Sequence, residues 1–256
     1  SIWLECTSQN SPPGYLGTFT ENRKALLIGD DGGYVVTTPR YFANQNLQSR
    51  MVKATLAVNG NLDAVVNTLF TGVQYEGTHH LMNESTPEER EQYLNAVLNI
   101  STYQVDKFEY FEKSGKLPEA RENLHIKATG YANVSGKRIF FVPNFLNQSS
   151  IKLSTDPYRK YPIHFTQAYT DIDTLEIEIP EGYIVEAGPK DISISNEFGE
   201  FTLKININNQ KIQMIRRRKT EMNTFPPSAY PALIEFYNKI YTADHSRIVL
   251  VKKEPS

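Results

Sequence analysis

The sequence predicts a mainly β protein: antiparallel β-sandwich units, one large or two smaller, with two helices near 87–99 and 229–241. Fifteen tyrosines, thirteen phenylalanines and many β-branched residues favour sheet over helix. Asn59-Gly60, Asp31-Gly32 and Ser135-Gly136 punctuate the chain as hairpin turns do. Several runs, among them Leu175-Glu176-Ile177-Glu178-Ile179, alternate apolar and polar residues with the period of a half-buried strand. A chain of 256 residues, 39% of them hydrophobic, can bury a sizeable core.

The chain opens on an alternating segment, with Ile2, Leu4 and Cys6 on one face and Trp3, Glu5 and Thr7 on the other. It reads as a strand that lacks ladder partners, the cut edge of a longer protein, with Cys6 as a buried structural thiol. Ala25-Leu26-Leu27-Ile28 and Tyr34-Val35-Val36-Thr37 flank Gly29-Asp30-Asp31-Gly32-Gly33, a hairpin with a turn that tolerates positive φ. A second hairpin joins 51–58 to 62–75 across Asn59-Gly60-Asn61, with a bend expected near Gly72 and all four strands expected in one sheet. Thr86, Pro87 and Glu89 form a capping box ahead of a helix whose face is Leu94, Val97 and Leu98, with Tyr93 at its margin and an end near Asn99. Residues 103–112 fit neither period and are assigned to a strand. Residues 124–134 and 137–142 form a hairpin across Ser135-Gly136, and 147–157 read as a linker or a sheet-to-sheet crossing.

The last hundred residues carry the clearest β pattern. Leu175-Glu176-Ile177-Glu178-Ile179, Ile192-Ser193-Ile194-Ser195, and 201–207 paired with 211–217 across Asn208-Asn209 form a meander with one wet face. Ser228 is expected to cap a helix with Tyr230, Leu233, Ile234, Tyr237 and Ile240 on its apolar side. Ile248-Val249-Leu250-Val251 between charged flanks suits a central strand.

Composition narrows the function classes. A formal charge of −2 gives no general field for nucleic acid or anionic lipid. The chain has no apolar run of about 18 residues, so no membrane-spanning helix is expected. One cysteine excludes an internal disulfide and any multi-cysteine zinc site. His79 and His80, placed in a strand, point to opposite faces and cannot share a metal, and His125, His164 and His245 are isolated. Asp30-Asp31-Gly32-Gly33 lacks calcium-loop spacing. No metal or cofactor is implied. Arg216-Arg217-Arg218-Lys219 reads as a strand end or a charged edge that discourages aggregation, and Tyr103, Phe108, Tyr110 and Phe111 as core aromatics that could otherwise stack on sugar rings.

Trp3-Leu4-Glu5-Cys6-Thr7-Ser8-Gln9, Pro13-Gly14-Tyr15-Leu16 and the hairpin over 26–37 resemble the tail of the transglutaminase-like core in large secreted bacterial proteins of Bacteroidetes type, with DUF3857/DUF3858-type architecture. The end of the chain, from Tyr230 to Lys252, is similar to the end of the β-rich domain of unknown function that follows such cores. The resemblance implies three regions: 1–44, the terminal strands of the core; 45–153, a β-rich region with one helix; and 154–256, an antiparallel sandwich-like domain ending in a helix and a strand. Those cores use papain-type chemistry, in which a cysteine attacks an amide, a histidine is the base and a carboxylate orients the imidazole. By the resemblance that carboxylate falls on Glu5, where related proteins carry Asp; the cysteine and histidine would precede Ser1. The implied role is a non-catalytic accessory region that buttresses the core and shapes its substrate cleft. The implied partner is that upstream core, the implied location is extracytoplasmic, in the periplasm or at the cell surface, and this chain alone is expected not to be an enzyme. The sequons at Asn83, Asn99, Asn133 and Asn147 matter only in a eukaryotic secretory route, which the resemblance argues against. A carbohydrate- or protein-binding sandwich at the bacterial surface is the alternative.

Overall fold

The computed structural model describes residues 2–7, 10–98, 100–208 and 210–254, without the side chains of 95–97. Among them the elements run α1 (Gly17–Thr20), β1 (Lys24–Gly29), β2 (Gly32–Thr37), β3 (Leu47–Leu56), β4 (Leu62–Thr71), α2 (Tyr75–Glu84), α3 (Pro87–Val97), β5 (Tyr103–Lys113), β6 (Glu119–Ala128), β7 (Asn133–Ser135) and β8 (Arg138–Phe141). There follow β9 (Ile163–Phe165), β10 (Tyr169–Glu178), β11 (Tyr183–Ala187), β12 (Ile192–Asn196), β13 (Gly199–Asn208), β14 (Lys211–Thr220), β15 (Asn223–Phe225), α4 (Tyr230–Asp244) and β16 (Ile248–Lys252). Eight strands form one sheet in the order β12-β13-β14-β10-β3-β4-β6-β5. Neighbours are antiparallel except β10 and β3, which run parallel and so join strands distant in sequence. A four-stranded sheet, β11-β16-β8-β7, and two two-stranded sheets, β1-β2 and β15-β9, complete the fold.

Alternation builds the core. Leu56, Ala54 and Val52 of β3 pair with Leu62, Ala64 and Val66 of β4, and Ala64 and Val66 pair in turn with Ile126 and Leu124 of β6. Ile139 and Phe141 of β8, Ile248 and Leu250 of β16, and Leu233, Phe236 and Ile240 of α4 close over this face in a single cluster. The mainly β, antiparallel, sandwich-like expectation holds, and β16 is central in its sheet, between β11 and β8.

At one end the same inner face turns ionic. Glu122, Thr68, Arg50, Asp173 and Arg216 stand in register across five adjacent strands. Arg216, 1% exposed, forks onto Asp244 at the end of α4 with bonds of 2.7 and 2.9 Å. It also donates to Asp173 at 3.3 Å. Asp173 further accepts from Arg50, Gln48 and Asn147, and Asp244 from the Ser149 amide and Asn144. This network ties α4 and the irregular segment after β8 to the sheet. The expectation of a charged edge at 216–219 is therefore corrected: β14 lies between β13 and β10, so alternate arginines enter the interior.

Several boundaries also differ. Residues 2–7 form no strand; among the described residues their one backbone–backbone tie is the Gly14 amide donating to the Trp3 carbonyl at 3.0 Å. Trp3 and Glu5 are the half-buried pair, while Ile2, Leu4 and Cys6 are exposed, so Cys6 is not the buried thiol expected. Ser1, Ser8 and Gln9 lie outside the described residues. The β1-β2 hairpin forms but does not share a sheet with β3-β4. The second hairpin strand ends at Thr71, where Gly72 (φ 58°) turns the chain into α2, and His79 and His80 are consequently helical. Gly130 (φ 62°) ends the expected 124–134 strand early, leaving β7-β8 as the hairpin across Ser135-Gly136. The capping box at Thr86 and Glu89 is present, and Leu94 and Leu98 are buried. Asn99 and the Val97 side chain lie outside the described residues, as does Asn209 of the β13-β14 turn. A short 3₁₀ turn at Pro227–Ala229 leads into α4, so Ala229 rather than Ser228 occupies the cap position and no side chain caps it. A bulge between Val105 and Lys107 restores Phe108 and Tyr110 to the inner face, which explains why residues 103–112 match neither period.

Candidate functional site

The segment before β1 is held by a small aromatic core and by one carboxylate. Tyr15 and Tyr41 pack at 5.2 Å, and Tyr15 meets Tyr75 edge-on at 6.1 Å. Glu76, in the first turn of α2, accepts from the Tyr15 hydroxyl, the Thr18 amide and the Thr18 hydroxyl, each at 2.7 Å. Gly17 (φ 63°) allows this approach, since a Cβ there would lie 2.6 Å from Glu76 Oε1. Burial and the neighbouring Glu76 carboxylate push the Tyr15 hydroxyl pKa far up, so Tyr15 stays a donor.

This scaffold places Glu5. Its Oε1 accepts from the Thr7 amide at 2.9 Å and the Thr7 hydroxyl at 2.6 Å, and its Oε2 from the Thr20 hydroxyl of α1 at 2.7 Å. The Thr7 hydroxyl first, then Thr20 and the Thr7 amide, hold the Glu5 carboxyl below the ordinary glutamate range. Glu5 lines a cavity of about 210 Å³ with Tyr15, Glu76, His79, His80 and Glu84. At its wall the His79 ring stacks on Tyr75 at 4.9 Å, and His79 Nδ1 lies 2.6 Å from the Tyr75 hydroxyl and 2.9 Å from Glu112 Oε1. Tyr75 also donates to Glu112, and His79 Nε2 is buried without a hydrogen-bond partner among the described residues. Burial works to raise the Glu112 carboxyl pKa, but bonds from Tyr75 and Asn83 and the His79 ring outweigh it and leave it lowered. His80 pairs with Glu84 at 2.8 Å.

The structure thus brings Glu5 to one cavity with two histidines that sequence spacing had set apart. The Tyr75-Glu76 pair and Glu112 escaped sequence reading; Tyr75, Glu76 and His79, spaced for one helical turn, were the available signal. Cys6 does not join them: among the described residues its Sγ reaches the Leu4 carbonyl alone, at 3.9 Å. His125 pairs with Asp63 at 2.9 Å, His164 with Thr224 at 3.0 Å and His245 with the Tyr241 carbonyl at 2.8 Å. Among the described residues no three His, Cys, Asp or Glu converge on a metal position, and no helix is long and apolar enough to cross a membrane. What the arrangement offers chemically is a fixed, ionised carboxylate able to accept a proton-bearing group brought to its cavity.

No curated protein sequence matches the chain. Among solved structures it is similar to a "putative protease" from Parabacteroides distasonis, at 7% identity and a TM-score of 0.34 over 82% of this chain and 100% of that one. That likeness is too slight to carry fold or activity across. Residues 137–250, from the start of β8 to the middle of β16 and including α4, match the family model described as "Domain of Unknown Function with solved-structure structure (DUF3858)".

Proposed function

We propose that this chain is the non-catalytic accessory region of a transglutaminase-like, papain-type extracytoplasmic protein, in which residues 1–44 complete the core and the remainder buttresses it. The observation that carries the reading is the β1-β2 hairpin. Leu26, Leu27, Ile28, Tyr34 and Val35 are exposed on both of its faces, with Ile28 at 79% and Val35 at 73%. Ile2, Leu4, Phe19 and Phe42 add exposed apolar surface in the same segment. A two-stranded ribbon with no cover is marginal in water, and contiguous exposed apolar surface marks a docking face. The DUF3858 match on 137–250 supports an accessory role.

In this reading the core supplies cysteine and histidine, and Glu5, held by Thr7 and Thr20, orients the imidazole as a positioning residue. The bare chain should show no turnover with a glutaminyl peptide plus amine, or with a protease substrate. In the full-length protein Glu5→Gln should lower turnover and displace its pH profile, with Glu5→Asp recovering most of the activity. Turnover by the bare chain that Cys6→Ala abolishes would overturn the proposal.

A further inference from the structure

A second cavity shares part of its lining with the one that contains Glu5. Thr18 lines both. This second cleft, about 490 Å³, lies between residues 18–23 and the β9-β15 ribbon, within the ~300–1,000 Å³ range of small-ligand sites. At its wall is Glu21, only 5% exposed. Glu21 Oε2 accepts from the Tyr41 amide at 3.0 Å, while Oε1 receives no hydrogen bond from any described residue. Burial raises the Glu21 carboxyl pKa, and the Tyr41 amide opposes the rise. Oε1 is reachable by solvent and is an acceptor open to a hydroxyl brought into the cleft.

We propose that this cleft binds a neutral polyhydroxylated ligand, a mono- or disaccharide. Arg23 on the rim balances Glu21, so the site carries no net sign to select a phosphate or an amine. The lining also carries the amides of Asn22, Gln167 and Asn223 and the hydroxyls of Thr18, Thr166 and Thr224, which donate and accept as sugar hydroxyls do. Phe165 offers an apolar face, fixed by ring contacts with Phe225 at 5.3 Å and Phe198 at 6.2 Å, against which a pyranose can lie. An extended peptide fits less well: β9 and β15 are three residues long, too short to template an added strand. The inference stands independently of the docking role proposed for residues 1–44.

The test is titration of the ¹⁵N-labelled chain with maltose, cellobiose, mannobiose and chitobiose, followed by amide shifts. At least one sugar should give saturable shifts confined to Arg23, His164, Gln167 and Asn223. Gln167→Ala and Glu21→Gln should each weaken that binding about tenfold or more, about 1.4 kcal/mol. Gln167 is exposed, so its variant keeps the test open if Glu21→Gln does not fold. The proposal is overturned if no sugar of the set moves these amides. Shifts centred elsewhere, affinity unchanged in the folded variants, or binding of the tetrapeptide Ser-Asn-Thr-Gly with none of the sugars would overturn it equally.

Discussion

Replacing Arg216 by leucine should cost about 3 kcal/mol, the lower part of the ~3–5 kcal/mol range for breaking a buried ion pair. The structure indicates where in that range the value falls. Asp173 keeps Arg50, Gln48 and Asn147 when Arg216 is removed, so little of its charge is left bare. Asp244 loses both arms of the guanidinium fork and keeps only the Ser149 amide and Asn144 Nδ2. The penalty is therefore mostly one under-solvated carboxylate, plus the Arg216 contact with the Phe201 ring at 5.3 Å. For a chain of this size ~3 kcal/mol corresponds to a loss of about 6–12 °C in Tm. Urea and thermal unfolding followed by circular dichroism measure it. The double variant Arg216→Leu/Asp244→Leu removes the stranded charge together with its partner and should be more stable than Arg216→Leu alone. A single variant within about 1 kcal/mol of wild type, or a double variant as unstable as the sum of the singles, would refute the reasoning.

Gly72→Ala should destabilise by about 1–3 kcal/mol, because the added Cβ meets Asn46 Oδ1 at 2.3 Å and the Gln45 carbonyl at 2.8 Å while φ is 58°. Asn46 has no room to yield, since the same oxygen accepts from the Val73 amide at 3.0 Å; chemical denaturation reads the change. Burial raises the Glu122 carboxyl pKa, with Arg50 opposing, so the folded chain holds that proton more readily than the unfolded one. The associated stability is complete below the unfolded value of about 4.3 and is lost as pH rises through the folded value. Glu122→Gln should accordingly raise the unfolding midpoint at neutral pH, with the gain vanishing in acid; a gain that grows on acidification would contradict the sign. Native protein should react at Cys6 with one equivalent of Ellman's reagent without denaturant, since the thiol is exposed. Labelling that needs urea would place the thiol inside after all.

Where a signal was local and periodic, the sequence could be read directly. The capping box at Thr86 and Glu89, the hairpin around Asp30-Asp31 and the alternation from Leu175 to Ile179 each specify their element within a few residues. Alternation at 2–7 had the same form, but a strand also needs a partner, and here the described residues supply only the Gly14 amide. Helix α2 was hidden because Tyr75, Gly77, Thr78, His79 and His80 are weak helix formers without an N-cap side chain. Its stability comes from tertiary packing of Tyr75 and Leu81 and from the Glu76 bonds to the preceding segment. The three arginines at 216–218 misled for a related reason. Charge predicts exposure until a partner from another element, here Asp244 a helix away, makes burial tolerable. Glu5 was named through a resemblance, but its cavity mates His79 and His80 became visible only when the turn at Gly72 put both on a helix.

Hydroxyl-radical footprinting of Leu26, Ile28, Tyr34 and Val35 bears most directly on the docking role, comparing this chain with the full-length polypeptide expressed from its gene. In this chain all four are exposed and should be heavily modified. The account predicts that in the full-length protein the same residues are shielded, with oxidation several-fold slower, while Tyr158 and Tyr161, exposed at a distance in sequence, react equally in both. Equal modification of the hairpin in the two proteins would show that no core covers it, and the accessory reading would fall.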